Sequence, residues 1–312
     1  MERIPVIIDT DPGIDDFFAL MLANSSGKLD IKAITSVAGN QKWELVTKNA
    51  LDIASYFHMD CEVAKGAEQP LNIPPRTAGY IHGENGLGNL VLKAEKKSLS
   101  PDYAWDIIYK KAVEEKGRLE IIAIGPLTNI AIALLKYPNL HKLIHRVVLM
   151  GGSSDIGNTS PYGEFNAVAD PLAAKIVFRS GMPLVMVGWN AAVKSKLTPE
   201  DIDQLKAIDT PYTGDCSFLW DFERKAYKGF GKEYIILSDA LAAAYAIDPA
   251  VMECKDYYVA VETASSLNLG RTVVDFGHVC KDKPLNCSVG IEVNKDLYLK
   301  MLIQMMKHYR KE

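Results

Sequence analysis

The chain has 312 residues, of which 48% are hydrophobic and 24% are charged, a composition typical of folded globular proteins and not of disordered or fibrous ones. Lysine and arginine number 35 against 39 aspartate and glutamate residues, so the net charge is −4 and argues against nucleic acid as a partner. No apolar run approaches the roughly 18 residues of a membrane span, and the first residues lack the layout of a signal peptide. We therefore expect a cytoplasmic protein with no membrane partner.

The five cysteines are odd in number and scattered, and no two of them form a C-x-x-C pair. Such spacing supports neither a disulfide framework nor a zinc knuckle. We expect reduced thiols, most of them buried, at Cys61, Cys216, Cys254, Cys280 and Cys287.

Short β-branched segments alternate with helical spacing through the first 190 residues, which is typical of βαβ units and a parallel sheet. We predict helices at 14–23 and 43–57 and strands at 6–8, 31–37, 119–124, 147–150 and 184–187. Each strand is followed by a turn that contains Gly, Asp or Asn: 9–13, 38–40, 124–127, 150–154 and 188–190. In open parallel sheets the ligand crevice lies beyond the carboxyl ends of the strands, so these turns are the expected site.

The later part of the chain is more helical. Thr198 precedes Pro199 and two acidic residues, which predicts a helix start there. Further helices are predicted at 211–227 and 239–247, strands near 257–262, 272–275 and 288–293, and a closing helix from Asn294. Two long connections, 65–100 and 151–166, are typical of functional loops.

No internal repeat or low-complexity linker divides the sequence, so we predict a single domain over residues 1–312. The alternation of strands and helices predicts an α/β fold class: an open, mostly parallel central sheet with helices on both faces.

The turn after the first strand is the most informative segment, because it carries four carboxylates within eight residues: Asp9, Asp11, Asp15 and Asp16. Carboxylates so close raise one another's pKa and destabilise the fold unless a cation or a hydrogen-bond network compensates. Ca²⁺ fits best, since it takes about six to eight oxygen ligands in flexible geometry, whereas Mg²⁺ prefers an octahedral shell with several waters. A structural role is the alternative for any single residue, since Asp15 and Asp16 suit a helix dipole and Asp9 suits a cap.

Two known aspartate motifs fit this turn less well. An EF-hand loop requires Gly at its sixth position and Glu at its twelfth, where this sequence has Ile14 and Leu20. Phosphatases that form an aspartyl-phosphate also begin with Asp-x-Asp after a first strand, so Asp9 and Asp11 leave that reaction open as an alternative. Those enzymes have Thr or Ser where Gly13 stands, which makes the phosphatase hypothesis the weaker one.

Joined to the other strand ends, the acidic turn resembles the inosine-uridine type nucleoside N-ribohydrolases. The similarity begins with DTDPGIDD at 9–16 and covers most of the chain in the expected order. It continues through VAGN at 37–40, HGENGL at 82–87, GPLTNIA at 125–131, VLMGG at 148–152, GN at 157–158, EFN at 164–166, ADP at 169–171, Asp239 and DP at 248–249.

The resemblance implies an enzyme with the nucleoside hydrolase fold that cleaves the N-glycosidic bond of ribonucleosides to free base and ribose. It also implies a bound Ca²⁺, a small-molecule ribonucleoside as substrate, a place in nucleoside catabolism and nucleotide salvage, and a homodimer or homotetramer. The chemistry suits the residue types, because carboxylates around the ribose stabilise the positive charge of an oxocarbenium-like transition state.

Individual roles follow from the resemblance. Asp11 and Asp16 would bind Ca²⁺, and Asp11 would also be the base that accepts a proton from the attacking water. The remaining implied ligands of the ion are the carbonyl of Ile124 and the carboxylate of Asp239. The residues implied to hold the ribose hydroxyls are Asp15, Asn40, the backbone near Met150, Asn158, Glu164 and Asn166.

The sequence departs from the family pattern at Ser238, where many members have a histidine that protonates or polarises the leaving base. A serine hydroxyl is a poor general acid at neutral pH, so we expect Ser238 to cap the helix that begins at Asp239. His82, the only histidine within a family motif, is the predicted catalytic alternative. Aromatic residues that could stack on the base, or pack in the core, are Trp189, Trp220, Tyr80, Phe165 and Tyr227, with Trp189 favoured because it follows a strand.

Three functions stay open at this point. The first is a calcium-dependent ribonucleoside hydrolase with an undefined base preference. The second is a hydrolase of another ribosyl compound with a better leaving group, such as a nicotinamide riboside-like cation. The third is a ribose- or nucleoside-binding protein that has lost turnover because Ser238 replaces the usual histidine.

Overall fold

The computed structural model describes residues 2–310 of the chain. Within them the strands are β1 (Ile4–Thr10), β2 (Leu29–Ser36), β3 (Glu62–Lys65), β4 (Leu119–Ala123), β5 (Ile144–Met150), β6 (Leu184–Val187), β7 (Met252–Tyr257), β8 (Val259–Val261), β9 (Thr272–Val274) and β10 (Cys287–Val293). The α-helices are α1 (Ile14–Ser25), α2 (Trp43–Tyr56), α3 (Gly79–His82), α4 (Ala104–Glu115), α5 (Thr128–Lys136), α6 (Phe165–Ala169), α7 (Pro171–Phe178), α8 (Trp189–Ala192), α9 (Pro199–Lys206), α10 (Thr213–Gly229), α11 (Ser238–Ile247) and α12 (Lys295–His308).

Eight strands form one open sheet in the order β3-β2-β1-β4-β5-β6-β10-β7. β7 pairs antiparallel with β10, and the other neighbours pair parallel. β8 and β9 form a separate antiparallel pair. The predicted open, mostly parallel α/β sheet is therefore confirmed.

Helices cover both faces of the sheet because the central strands are apolar on both sides. In β1, Val6 and Ile8 point into one core, which α1 and α11 complete, whereas Ile7 points into the other core with α4, α5 and α7. All three side chains are at most 1% exposed. This alternation is the period of two that a strand imposes, and it makes the strand apolar throughout.

The predicted elements of the first half are confirmed, with ends shifted by a few residues. Strand β3 and the helices α3 to α8 were not predicted by position; several of these elements are only four or five residues long, too short to show a period, whereas α4 does bury Ala104, Ile107, Ile108 and Ala112 at helical spacing. In the later part, Thr198 accepts the N–H of Asp201 and begins α9 as predicted. The predicted strand at 257–262 is instead the end of β7 and the separate strand β8.

All five cysteines are free, as predicted, but only Cys216 and Cys287 are buried; Cys61 and Cys254 are partly exposed and Cys280 is exposed. None of the helices formed by residues 2–310 is long and apolar enough to cross a membrane.

The order of the strands places a crevice at the centre of the sheet. From β1 the chain proceeds to β2 and β3 on one side and to β4, β5 and β6 on the other. The connections therefore diverge at the carboxyl ends of β1 and β4, the position where open parallel sheets bind ligands. The acidic turn at 9–13 follows β1 and so lies at this point.

Candidate active site

A cavity of about 590 Å³ opens where the central strands end. We call its polar part the floor, formed mainly at and beyond the ends of the strands: Asp15, Asn40, His82, Ile124, Met150, Asn158, Glu164, Asn166 and Ser238. We call the part of the lining formed by α10 and the segment after it the wall: Glu223, Tyr227, Phe230, Lys232, Tyr234 and Ile236. The cavity thus joins a hydrogen-bonding surface to a mostly aromatic and apolar one, as in many small-molecule sites.

Most of the residues predicted from the sequence lie together at this cavity. Those that line it are Asp15, Asn40, His82, Ile124, Met150, Asn158, Glu164, Phe165, Asn166, Trp189 and Asp239. Asp11 and Asp16 are fully buried next to it. Asn40 connects them to the cavity, since its backbone N–H donates to Asp11 Oδ2 at 2.7 Å and its side-chain amide donates to Asp16 Oδ2 at 3.1 Å.

The turn between β1 and α1 positions Asp16. Its Oδ2 accepts the backbone N–H of Gly13 at 2.8 Å, and its Oδ1 accepts the hydroxyl of Thr10. A Cβ at Gly13 would lie 2.7 Å from Nδ1 of His82 and 2.8 Å from the amide nitrogen of Asn40. Glycine is therefore required here by the close approach of two side chains that line the cavity.

Asp11 sits in space that two glycines leave open. A Cβ at Gly39 would lie 2.0 Å from Asp11 Oδ2, and one at Gly125 would lie 2.9 Å from Asp11 Oδ1. Asp11 Oδ2 accepts the N–H of Asn40, whereas Oδ1 is buried and has no hydrogen-bond partner among the residues described. One carboxylate oxygen of Asp11 is therefore held in place and the other is free to bind a further group.

Three carboxylates offer a site for a metal ion. One oxygen each of Asp15, Asp16 and Asp239 lies within 4.8 Å of the other two. Burial and the neighbouring negative charges raise the pKa of Asp16 to about 7 and that of Asp11 and Asp239 well above the usual range. Buried carboxylates with raised pKa values are stable in ionised form only beside a positive charge, so this cluster can hold a metal ion.

The cluster overlaps the predicted ligand set without matching it fully. Asp15 takes part in it, although the sequence analysis assigned Asp15 to the ribose. Asp11 is close enough to raise the pKa of Asp239 by its charge. The carbonyl of Ile124 accepts the side-chain amide of Asn166 at 2.9 Å and keeps a second lone pair. Four aspartates and one carbonyl thus present hard oxygen ligands, the type that Ca²⁺ prefers.

Asp9 belongs to a separate, structural arrangement. It is fully buried, and burial raises its pKa to about 7. Its Oδ1 accepts the side-chain amide of Asn129 at 2.8 Å and the hydroxyl of Thr35. Asn129 also donates to the carbonyl of Ser36 at 3.0 Å and accepts the N–H of Ala67 at 2.8 Å. Asn129 thereby connects the ends of β1 and β2 with the segment after β3.

The prediction that Ser238 caps the following helix is wrong. α11 begins at Ser238 itself, and its N-cap residue is Leu237. The hydroxyl of Ser238 donates to Asp15 Oδ2 at 2.8 Å, and both side chains line the cavity. The hydroxyl therefore acts as a donor to a buried carboxylate, a strong hydrogen bond, and not as the acceptor of a helix N–H that a cap would be.

His82 is buried at the floor and is not a surface residue of the loop. It ends the short helix α3 and is 7% exposed. Its Nδ1 accepts the backbone N–H of Ile14 at 3.1 Å and lies 4.0 Å from Asp15 Oδ1. Burial lowers the pKa of His82. With Nδ1 in use as an acceptor, the neutral ring carries its proton on Nε2.

Glu164 and its neighbours complete the floor. Glu164 is the N-cap of α6, where its Oε2 accepts the N–H of Gly152 at 2.8 Å and its Oε1 accepts the N–H of Asn166 at 2.9 Å. Burial raises the pKa of Glu164 to about 7. The amide of Asn166 also donates to the carbonyl of Met150 at 3.0 Å. Asn158 Oδ1 accepts the N–H of Phe165, which positions the 151–166 connection beside the cavity.

The aromatic candidates divide between cavity and core. Trp189 is 7% exposed and lines the cavity, as do Tyr80, Phe165 and Tyr227. Trp220 does not: it is fully buried and stacks on Phe18 with ring centroids 5.0 Å apart. Of the two roles left open for it, Trp220 therefore takes the one in the core.

Glu223 lies on the wall and was not among the residues predicted from the sequence. This side chain is 2% exposed, and its Oε2 has no hydrogen-bond partner within residues 2–310. The signal was present in the sequence, because Leu219, Glu223 and Tyr227 recur at the spacing of one helix face. A carboxylate on an otherwise apolar helix face is rarely structural and could have been singled out.

Comparisons with known proteins agree with the fold. The model of the inosine-uridine preferring nucleoside hydrolase family matches residues 6–300. The pyrimidine-specific ribonucleoside hydrolase RihA of Photobacterium profundum is 38% identical over 308 residues, which cover 98% of this chain and 99% of the relative.

Solved structures give the same result. A plant nucleoside hydrolase, PpNRh1, superposes with a TM-score of 0.92 at 28% identity and covers 98% of this chain and 99% of its own. The purine-preferring ribonucleoside hydrolase of Gardnerella vaginalis superposes with a TM-score of 0.90 at 29% identity and covers 97% and 98%. The chain therefore belongs to the inosine-uridine preferring nucleoside hydrolase family and is a hydrolase of the N-glycosidic bond of ribonucleosides.

Proposed function

We propose that the chain is a Ca²⁺-dependent ribonucleoside hydrolase that uses Asp11 as the base for the attacking water. The observation that carries the proposal is the cluster of buried aspartates at the floor of the cavity, where Asp15, Asp16 and Asp239 converge. No salt bridge from a lysine or arginine reaches these three in the part of the chain that is described. In this proposal Asp11, Asp16, Asp239 and the carbonyl of Ile124 hold the ion. When bound, Ca²⁺ supplies positive charge that orients water and lowers its pKa.

Asp11 accepts the proton of the attacking water in this proposal. The N–H of Asn40 holds Oδ2 at 2.7 Å, so the carboxylate has a fixed orientation. Oδ1 is buried and unpaired within the described chain, and is the oxygen available for the proton. A base held in this way needs no reorganisation during the reaction, which is the main advantage of a preorganised site.

The floor binds the ribose in the proposed mechanism. Asp15, Asn40, Asn158, Glu164 and Asn166 supply carboxylate and amide groups for the hydroxyls, with the backbone near Met150. Glu164 accepts backbone N–H groups on both oxygens and still has lone pairs for a sugar hydroxyl. As C1′ gains positive charge, the carboxylates around it stabilise the oxocarbenium-like transition state.

His82 takes part as a hydrogen-bond donor to the substrate. Its Nδ1 is occupied by the N–H of Ile14, so the ring presents Nε2–H as its remaining polar group. Phe165 and Trp189 line the same cavity and supply aromatic surface for the base.

The base preference that we propose is pyrimidine. The support is the 38% identity, over nearly the full length of both chains, to a relative named a pyrimidine-specific ribonucleoside hydrolase. The purine-preferring structure is more distant, at 29% identity. A cytoplasmic location, a role in salvage and a homodimeric or homotetrameric state stay predictions.

The test is an assay for free ribose with uridine, cytidine, inosine, adenosine and nicotinamide riboside as substrates. Wild type, Asp11→Ala and the exposed control Asp203→Ala are compared with Ca²⁺ and after chelation. We expect release from pyrimidine nucleosides that requires both Asp11 and Ca²⁺ and is unchanged by Asp203→Ala. Release that survives chelation contradicts the metal dependence, and a preference for inosine or nicotinamide riboside contradicts the pyrimidine assignment.

A further inference from the structure

The wall of the cavity contains one acidic side chain that the proposed function does not use. Glu223 lies in the middle of α10, one helical turn before Tyr227, and both line the cavity. It is 2% exposed, and its Oε2 is buried without a partner among residues 2–310. A buried carboxyl oxygen without a partner destabilises the fold, so its presence calls for a function in the bound state.

The reaction needs a proton for the departing base, and the floor does not offer a suitable acid. The hydroxyl of Ser238 donates to Asp15 Oδ2 at 2.8 Å, so its proton is already in use. The neutral imidazole of His82 donates a hydrogen bond but is a very weak acid. The carboxylates of the floor surround the sugar, on the side where positive charge develops and a negative group is required.

The wall and the floor line the same cavity, so a substrate whose ribose is held by the floor has its other end available to the wall. That end is the base, and the wall is built of rings and aliphatic groups that suit it, including Tyr227, Tyr234 and Ile236. Glu223 stands among them as a group that can both donate and release a proton.

From this placement, and on the basis of the function proposed above, we propose that Glu223 is the general acid that protonates the departing nucleobase. As the C1′–N bond breaks, its electron pair goes to the base, and the Glu223 O–H proton goes to a nitrogen or carbonyl oxygen of that base. The oxygen of water forms the new bond to C1′, and its proton goes to Asp11. Exchange with solvent then returns a proton to Glu223 and removes one from Asp11, so the products are ribose and neutral base.

The surroundings of Glu223 favour the protonated form that an acid requires. Burial raises the pKa of the Glu223 carboxyl group well above the usual range, and the negative charge of Asp15 raises it further. The titratable groups that interact with it include Asp15 on α1, Tyr227 on α10 and Tyr298 on α12. Lys232 is the cation on the same wall, and its Nζ lies 5.6 Å from the ring centroid of Tyr227. A carboxyl group kept protonated by burial beside an ionised one is the usual arrangement of an acid in glycoside hydrolysis.

The test compares two leaving groups in wild type, Glu223→Gln and Glu223→Asp. Uridine or cytidine needs a proton on the base, whereas 4-nitrophenyl β-D-riboside releases a phenolate that leaves without one. The glutamine variant keeps the size and hydrogen-bonding capacity of the side chain but cannot release a proton. Asp221→Asn is the matched control, because Asp221 lies on the same helix, is exposed and pairs with Lys206.

We expect Glu223→Gln to lower kcat for the pyrimidine nucleoside by about 10²- to 10⁴-fold, the range of general acid catalysis, with KM changed by less than about threefold. Activity on the nitrophenyl riboside should stay within about threefold of wild type, which also shows that the variant is folded and binds ribose. Glu223→Asp should keep part of the nucleoside activity, and Asp221→Asn should keep all of it.

Equal losses on both substrates overturn the proposal, since they assign Glu223 to structure or to ribose binding. Normal nucleoside turnover by Glu223→Gln also overturns it, because a hydrogen bond without proton transfer then suffices. A wild type that is inactive on every riboside overturns the proposed function as well. If wild type is active and Glu223→Gln turns over nucleosides at the same rate, only the role of Glu223 is overturned. The two failures are therefore distinguishable.

Discussion

Gly39→Ala is the substitution that most directly tests the position of Asp11. A Cβ at residue 39 would lie 2.0 Å from Asp11 Oδ2, more than an ångström short of the 3.4 Å at which ordinary van der Waals contact begins. It would also lie 2.8 Å from Cδ of Pro126, so it cannot move away from the carboxylate without a second clash. The Asp11 side chain must therefore shift by about an ångström and lose the 2.7 Å hydrogen bond from Asn40.

The size of the effect follows from these contacts. A hydrogen bond to a charged acceptor is worth about 1.5–3 kcal/mol, and a shift of about 1 Å in a reacting group can cost about 10²-fold in rate. We expect kcat/KM for the best ribonucleoside to fall at least about 100-fold. Overpacking should lower the free energy of unfolding by about 1–3 kcal/mol.

The assay measures ribose release at saturating Ca²⁺, together with urea unfolding of the same preparation. Gly214→Ala is the matched control, because a Cβ at this exposed position on α10 meets no atom within 4 Å. It should leave activity unchanged and raise stability by up to about 1 kcal/mol. Wild-type kcat/KM in Gly39→Ala would refute the argument that the carboxylate of Asp11 must stay where the two glycines allow it.

Three further predictions concern the groups around the cavity. Chelation should abolish ribose release and lower the midpoint of thermal unfolding, because Asp16 and Asp239 lose their counter-charge. Ca²⁺ at a thousandfold excess over its Kd should restore about 4 kcal/mol of the free energy of unfolding. Unchanged activity after exhaustive chelation contradicts a metal requirement. Ser238→Ala should lower kcat/KM by about 10- to 100-fold, since Asp15 loses the 2.8 Å hydrogen bond that orients it. An effect of threefold or less would mean that other contacts hold Asp15. Asn129→Ala should lower the free energy of unfolding, measured in urea, by about 3 kcal/mol, because the N–H of Ala67 and the carboxylate of Asp9 each lose a hydrogen-bond partner. The control is Asn139→Ala at an exposed position, and equal losses in both variants would contradict the role of Asn129.

The sequence was sufficient to predict the sheet because each central strand is apolar on both sides and ends at a turn of Gly, Asp or Asn. Val6, Ile7 and Ile8 illustrate this, since they fill two separate cores and are followed at once by Asp9. Convergence of the strand ends then follows from parallel geometry alone, and with it most of the cavity floor.

Contacts between distant segments were beyond the reach of local patterns. Ser238 has the residue type of a helix cap, but its hydroxyl turns to Asp15, which is more than two hundred residues earlier in the chain. Asp9 and Asp11 are two residues apart in one motif, yet Asp9 lies within β1 and binds Asn129, whereas Asp11 lies in the turn after β1 and binds Asn40. The spacing of residues along the chain does not predict which buried group a polar side chain binds, because that partner depends on tertiary packing.

The separation of floor and wall has a consequence for how substrate preference can change. The floor is built at the carboxyl ends of β1, β2, β4 and β5, where Asp15, Asn40, Ile124 and Met150 lie, and the hydrogen bonds of the sheet hold these strands in register. The wall depends on side chains of α10 and the short segment after it, which belong to no strand of the main sheet. A mutation on the wall alters the shape and polarity offered to the base without moving the atoms that hold the sugar. Substitutions on one helix can therefore change which base is accepted, while the residues that bind the ribose stay the same.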